Sequence, residues 1–217
     1  MSREKCRVVV LISGSGTNLQ ALIDAAQSDE ADFSISAVIS NKADAYGLTR
    51  AREAGIDAFA VSHRDYPDRE TFDGALMEEI DRHQPDLVVL AGFMRILTPE
   101  FVRHYGGRLL NIHPSLLPKY QGLHTHQRAL DAGDREHGVT VHFVTEELDG
   151  GPAIIQAVVP VEPGDTAEQL AARVQVQEHF IYPLAVSWFS QGRLRMLDDR
   201  AELDGELLPR GGHRIAD

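Results

Sequence analysis

Cys6 to Ile12 is a short apolar run, rich in Val, that ends at the glycine turn Ser13-Gly14-Ser15-Gly16-Thr17-Asn18. Beyond the turn Leu19, Leu22, Ile23 and Ala26 recur at helical spacing, so this stretch reads strand, glycine turn, helix. Phe33 to Ser40 alternates apolar and polar residues and predicts a second strand. A helical stretch from Ala45 to Ala54 stops at Gly55, and Asp57 to Val61 supplies a third short strand. Asp68 to His83 carries Phe72, Leu76 and Ile80 on one stripe, the pattern of an amphipathic helix, and Pro85 closes it. Leu87 to Ala91 is a strongly apolar fourth strand. Pro99 opens another helical turn, Leu109 to His113 makes a fifth strand, and His124 to Ala132 forms the next helix.

Strands alternating with helices predict an α/β fold, a Rossmann-like open and mostly parallel sheet with helices on both faces. The second half changes character. Between Gly138 and Val144, Val139, Val141 and Phe143 point one way and Thr140 and His142 the other. Ile154 to Val161 follows after the turn Gly150-Gly151, so the sheet is expected to gain an antiparallel C-terminal extension with one wetter face. Thr166 to Phe189 closes the pattern as a long helix that Pro183 should bend or break. Residues 1–217 read as a single domain whose Gly-, Pro- and charge-rich tail frays past about Leu208.

Composition narrows the function. A formal net charge of −12 over 217 residues disfavours nonspecific contact with a phosphate backbone, so no nucleic-acid partner is expected. Cys6 is the only cysteine, which excludes an intrachain disulfide and a thiolate metal site. With no signal-peptide pattern and no apolar run of spanning length, a cytoplasmic protein without a membrane partner is expected.

The chemistry concentrates in Asn111-Ile112-His113-Pro114-Ser115-Leu116-Leu117-Pro118. Residues two apart on an extended segment share a side, so the Asn111 amide and the His113 imidazole emerge together, and Pro114 biases His113 toward extended backbone. An amide donor beside an imidazole suits a developing oxyanion. Asp149, folding back onto His113, would favour the charged ring. A tight turn beside a reacting centre often uses a cis X–Pro bond, and Leu117–Pro118 is where one is expected.

The loop Gly14–Asn18 lies where α/β proteins hold phosphate on free helix-start amides. It lacks the third glycine and the acidic partner of a dinucleotide site, and the Lys of a triphosphate loop. It suits one phosphate monoester on Gly16, Thr17 and Asn18, and equally a plain capped helix start. Gly92-Phe93-Met94 leaves its strand as an apolar loop fit for a flat heteroaromatic ring, or for simple core closure. These motifs all follow carboxyl ends of parallel strands, the edge where open α/β sheets bind ligands. His124-Thr125-His126 has no third ligand at metal spacing, so no metal is expected there.

Ser13-Gly14-x-Gly16-Thr17-Asn18-Leu19, Gly92-Phe93-Met94-Arg95-Ile96-Leu97, Asn111 to Pro118 and His137 to Gly151 occur in order, and together they resemble the folate-dependent phosphoribosylglycinamide formyltransferases of purine synthesis. The resemblance runs from the first strand to about Leu208. It implies transfer of a formyl group from 10-formyltetrahydrofolate, a cosubstrate, to glycinamide ribonucleotide, with no metal. It also implies roles residue by residue. Asn111, His113 and Asp149 match the catalytic trio. Gly16, Thr17 and Asn18, with Gln175, Val176, Gln177 and Glu178, match the nucleotide contacts. Arg69, Met94, Arg95, Ile96, Leu97, Asn111, Thr145, Glu146, Glu147, Leu148 and Asp149 match the folate contacts. Gln121 departs from the Pro of some relatives, a local question of loop geometry. Formyltetrahydrofolate deformylases and methionyl-tRNA formyltransferases share these motifs but are expected to carry a further domain. A non-catalytic metabolite sensor would not need the trio. Monomer and homodimer are both compatible with the sequence.

Overall fold

The structure, a computed structural model, describes residues 4–216. The chain divides into two units, one ending at Leu110 and the other beginning at Asn111.

The first unit contains β1 (Cys6–Ile12), α1 (Thr17–Ala26), β2 (Phe33–Ser40), α2 (Tyr46–Glu53), β3 (Ala58–Ala60), α3 (Arg69–Asp81), β4 (Leu87–Leu90), α4 (Pro99–His104) and the start of β5 (Leu109–His113). The strands run in the order β3-β2-β1-β4-β5, all parallel. Val8 to Ile12 and Leu87 to Val89 are wholly buried, the unbroken apolar run of a sheet covered on both faces. Against it α1 buries Leu19, Leu22 and Ile23, and α3 buries Phe72, Leu76 and Ile80. The helix starts follow local chemistry. The Asp68 carboxylate accepts from Thr71 N at 2.7 Å, and Thr98 Oγ1 accepts from Phe101 N at 3.3 Å ahead of Pro99. One close approach needs two glycines: a Cβ on Gly16, whose φ is +76°, would lie 2.8 Å from Gly47 Cα.

The second unit holds the end of β5, α5 (Thr125–Asp131), β6 (Glu136–Phe143), β7 (Ala153–Pro160), α6 (Ala167–Ser190), β8 (Leu194–Leu197), β9 (Arg200–Leu203), β10 (Glu206–Leu207) and β11 (His213–Ala216). β6 and β7 pair antiparallel, as the alternation predicts. α6 packs on β6, β7 and α5. It opens with a capping box between Thr166 and Gln169 and continues through Pro183 without a break.

Two expectations change, and one feature is new. The tail past Leu208 does not simply fray: β11 pairs in parallel along β7, with Arg214 Nη2 2.8 Å from Glu136 Oε2. A strand edge offers main-chain donors and acceptors to whatever segment reaches it, whether or not that segment is apolar. A separate antiparallel sheet, β8-β9-β10, was not anticipated. Its second turn is Asp204-Gly205, both at positive φ, an ordinary hairpin signal in a charged stretch. Finally, β6 has no wet face, since Thr140 is 0% and His142 2% exposed.

The polar residues of β6 are buried because they have partners. Thr140 Oγ1 donates to Ser115 O (2.7 Å) and accepts from Leu117 N (3.1 Å) and Gln156 Nε2 (3.0 Å). Gln156 Nε2 also donates to Leu117 O at 2.9 Å. His137 Nε2 lies 3.0 Å from His126 Nδ1. Burial, and then the neighbouring imidazole, depress His137 from 6.5 to about 4; burial, then His113, lowers His126.

The sign of the pH effect follows. Both rings are held neutral in the folded protein, so the unfolded chain takes up protons first as the pH falls. Their stabilisation is present above 6.5, the ordinary value, and is lost toward about 4. Urea unfolding across that window is expected to show falling stability, with a flatter pH dependence in His137→Gln. Equal slopes in the two proteins would show that the pair does not govern acid sensitivity.

Candidate active site

β5 delivers Asn111 and His113 to its carboxyl end, with His113 7% exposed. The segment that follows is laced to the second unit's sheet by the Thr140 and Gln156 bonds. Ser115 Oγ donates to Lys119 O (2.6 Å), and Thr125 Oγ1 donates to Pro114 O (2.5 Å). Leu117–Pro118 is cis, as expected.

Two main-chain carbonyls fix the rings. His113 Nε2 lies 2.8 Å from Tyr120 O, and because a carbonyl only accepts, Nε2 carries a proton. Nδ1 then faces Asp149 Oδ1 at 3.7 Å. That separation allows Coulomb attraction to a charged ring but exceeds a hydrogen bond. The other carboxylate oxygen, Oδ2, accepts from Gly122 N at 2.9 Å. Asp149 has φ +52°, a left-handed conformation uncommon outside glycine and recurrent at functional sites.

His142 orients Asn111 by the same logic. Its Nδ1 lies 2.9 Å from Phe143 O and therefore donates. Burial pushes the His142 pKa down, keeping the ring neutral and leaving Nε2 as an acceptor. Nε2 is 3.4 Å from Asn111 Nδ2, so the amide nitrogen, a donor, is turned to this side.

Tyr120 and Gly122 belong to one loop that holds both His113 and Asp149. The Tyr120 hydroxyl donates to Asp134, which raises its pKa, and the ring lies under the Arg128 guanidinium at 5.2 Å. Arg128 Nη1 donates to Gln121 O (2.6 Å) and Leu123 O (3.2 Å). Gln121 Nε2 reaches Asp149 O at 3.5 Å, so this residue joins the loop's contacts to Asp149.

In the first unit, Gly47 N donates to Gly14 O at 3.1 Å and Arg50 Nε to Ser15 O at 2.7 Å. In a trans peptide the C=O and the following N–H point opposite ways. Pinning these two carbonyls onto α2 therefore turns the Ser15 and Gly16 amides away from it, the start of an anion-binding nest. Thr17 and Asn18 are the first two residues of α1, next to that turn. Arg50 is braced by Gln20 Oε1 at 3.3 Å and by the Tyr46 ring at 5.0 Å.

The other expected residues fall as follows. Met94 and Ile96 are 64% and 56% exposed, Leu97 is half-buried, and Arg95 lies over the Phe72 ring at 5.4 Å. Arg69 is the exposed first residue of α3. Thr145, Glu146, Glu147 and Leu148 form the turn between β6 and Asp149, with Leu148 58% exposed. Gln175, Val176, Gln177 and Glu178 lie along α6, the first two exposed and the others half-buried. Thus Asn111, His113 and Asp149 converge within one unit, while Gly16–Asn18 and Met94–Leu97 follow adjacent strands of the other. The carbonyls of Tyr120 and Phe143, Gly122 N and Arg50 are not legible beforehand; no sequence pattern marks a main-chain atom or an arginine from another helix. Among the described residues no group of three or more His, Cys, Asp or Glu gathers as a metal site, and no helix is long and apolar enough to cross a membrane.

A family model described as formyl transferase matches residues 6–186. The phosphoribosylglycinamide formyltransferase of Escherichia coli (strain K12) is 60% identical over 206 residues, 95% of this chain and 97% of that protein. The Haemophilus influenzae protein of the same name is 52% identical, covering 95% and 98%. The structure of the Coxiella burnetii phosphoribosylglycinamide formyltransferase, in complex with CHES, superposes with a TM-score of 0.94 at 53% identity, covering 98% of this chain and all of that one. The chain belongs to the formyl transferase family and, within it, to the phosphoribosylglycinamide formyltransferases.

Proposed function

We propose that this enzyme transfers the formyl group of 10-formyltetrahydrofolate to the amine of glycinamide ribonucleotide, a step of purine synthesis in the cytoplasm, within a single catalytic domain. The observation that carries the reading is the polarity of the trio. Asn111 presents its amide nitrogen, and His113 has Nε2 committed to Tyr120 O while Nδ1 stays within 3.7 Å of a carboxylate.

The neutral glycyl amine attacks the formyl carbon, and the carbonyl oxygen becomes an oxyanion. An Asn111 N–H and the Nδ1 proton of a charged His113 stabilise it. The gap to Asp149 is too long for a hydrogen bond that would consume that proton. As the tetrahedral carbon collapses, the amine loses a proton and the folate nitrogen gains one on leaving. His113 or a water carries it. Phe143 O, through His142, keeps the Asn111 amide turned. Neither a metal nor a covalent enzyme intermediate is needed.

The phosphate of the nucleotide is assigned to Gly16, Thr17 and Asn18, and the remainder of the nucleotide to Gln175, Val176, Gln177 and Glu178. Folate is assigned to Arg69, Met94 to Leu97 and Thr145 to Asp149, with Asn111 at the reacting centre. Incubation with 10-formyltetrahydrofolate, with and without glycinamide ribonucleotide, tests the whole reading. Formylated ribonucleotide is the expected product, and formate released at the same rate without the nucleotide would refute transfer.

Asp149→Asn keeps the size and removes the charge, so turnover should fall by about 10²–10⁴ while both ligands still bind. His113→Ala should cost a similar factor, and the double variant should fall well short of the product of the two. Multiplicative losses would mean that the residues act independently, and near-normal turnover in Asp149→Asn would sink the mechanism.

Arg50→Met removes the donor to Ser15 O and a positive charge behind the phosphate loop. A charge-assisted hydrogen bond contributes about 1.5–3 kcal/mol, so KM for the nucleotide should rise about 10- to 100-fold with kcat little changed. A folded Arg50→Met protein with wild-type nucleotide KM would place the phosphate elsewhere.

A further inference from the structure

The loop Met94–Leu97 is pinned at both ends by buried side chains that the proposed chemistry does not use. At its start, Met94 N donates to Ser13 Oγ at 2.8 Å, and the Ser13 hydroxyl donates in turn to Asn41 Oδ1 at 2.6 Å. Ser13 is 5% and Asn41 2% exposed, and Asn41 Nδ2 lies 3.4 Å from His63 Nδ1. At the other end, Thr98 N donates to Asp73 Oδ2 at 2.8 Å, and Asp73 is 1% exposed. Asp73 Oδ1 has no hydrogen-bond partner among the described residues. Burying a carboxyl with one oxygen unsatisfied is costly, and an apolar residue would serve packing better. What Asp73 supplies instead is a fixed acceptor for one main-chain amide.

Ser13 has a second consequence. It is the residue before Gly14, so the hydroxyl that holds Met94 moves with the phosphate loop. A hydroxyl can accept from one neighbour and donate to another, and here both capacities are used between strands β1, β2 and β4.

We propose that Ser13, Asn41 and Asp73 are positioning residues that set the main chain of Met94–Leu97 for the formyl donor. Through Ser13, occupation of the phosphate loop and binding of the folate favour one another. This rests on the assignment of Gly16–Asn18 to phosphate and Met94–Leu97 to folate. A phosphate clamped on Gly16–Asn18 holds Ser13 in place, and the ordering that the first ligand imposes on the loop is not required again of the second.

The test is calorimetric titration of tetrahydrofolate, the unreactive product, with and without glycinamide ribonucleotide, joined to steady-state kinetics. In the wild-type enzyme the nucleotide should tighten tetrahydrofolate binding by about fivefold or more, and tetrahydrofolate should tighten nucleotide binding by the same factor. Ser13→Ala should bring that factor close to one and raise the donor KM by about tenfold, leaving the pH profile of turnover unchanged. Asn41→Ala, which keeps the serine but removes its acceptor, should act in the same direction. Asp73→Asn retains an acceptor for Thr98 N and should keep the donor KM within about threefold, whereas Asp73→Leu should raise it about tenfold. A purely structural role would lower kcat through the folded fraction and leave KM alone. Thermal unfolding identifies the folded variants, and the Asp73 pair decides the loop-positioning half if Ser13→Ala does not fold. Folded Ser13→Ala and Asp73→Leu proteins with wild-type donor KM would overturn the proposal, and wild-type enzyme without mutual tightening would overturn its coupling half. Ile96→Asp separates this from the underlying reading: unchanged donor KM there means that the folate assignment itself has failed.

Discussion

Two main-chain carbonyl oxygens, those of Tyr120 and Phe143, set the distribution of protons on which the site depends. A carbonyl cannot donate, so each ring nitrogen bonded to one must carry hydrogen. At His113 this commits Nε2 and leaves Nδ1 on the side of Asp149. At His142 it commits Nδ1, and burial keeps the ring neutral, so Nε2 accepts from Asn111. Neither histidine's role is decided by its own identity. Each is decided by a main-chain atom that its loop or strand brings to it, with the tautomer following from geometry.

Those carbonyls stay in place because the surrounding chain is held by polar bonds, buried at Thr140 and Gln156 and exposed at Arg128. Thr140 and Gln156 hold three main-chain groups of the loop between Ser115 and Leu117. Arg128 holds two carbonyls of the loop that bears Tyr120 and Gly122. A fully satisfied buried network is rigid, and leaving any member unpaired costs about 1–3 kcal/mol, so the loop has little freedom to relax. The left-handed Asp149 fits this picture: its unusual backbone is held by the turn around it and by Gly122 N. The glycine turn after β1 applies the same device against α2, where Gly47 and Arg50 hold two successive carbonyls and so aim the amides behind them.

Parallel β1 and β4 are apolar on both sides because helices cover both faces, and the apolar runs of the chain expose that directly. The glycine turn after β1, the Met94 loop and the Asn-x-His strand end are legible for a different reason. Each joins a rare local composition to a strand terminus, and an ordered set of such signals is specific where one alone is not. The misreadings are equally physical. β11 and the β8-β9-β10 sheet pair through main-chain bonds that polar sequence does not forbid, so hydropathy gave no sign of them. Thr140 and His142 read as solvent-facing because alternation reports polarity, whereas burial depends on whether partners are supplied from elsewhere in the fold.

By itself, the chain determined the elements from β1 to α6, where the candidate reactive side chains sit along it, and which chemistry those residue types suit. It did so because backbone sterics and side-chain periodicity act over a few residues. Only the tertiary structure decided the tautomers of His113 and His142, the 3.7 Å separation of His113 Nδ1 from Asp149, the turning of the glycine-loop amides by Arg50, and the shared hydroxyl of Ser13. These depend on atoms dozens of residues apart, or on main-chain atoms that every residue possesses. A hydrogen bond at that separation is fixed by distance and angle, and those exist only once the strands are paired and the loops are held.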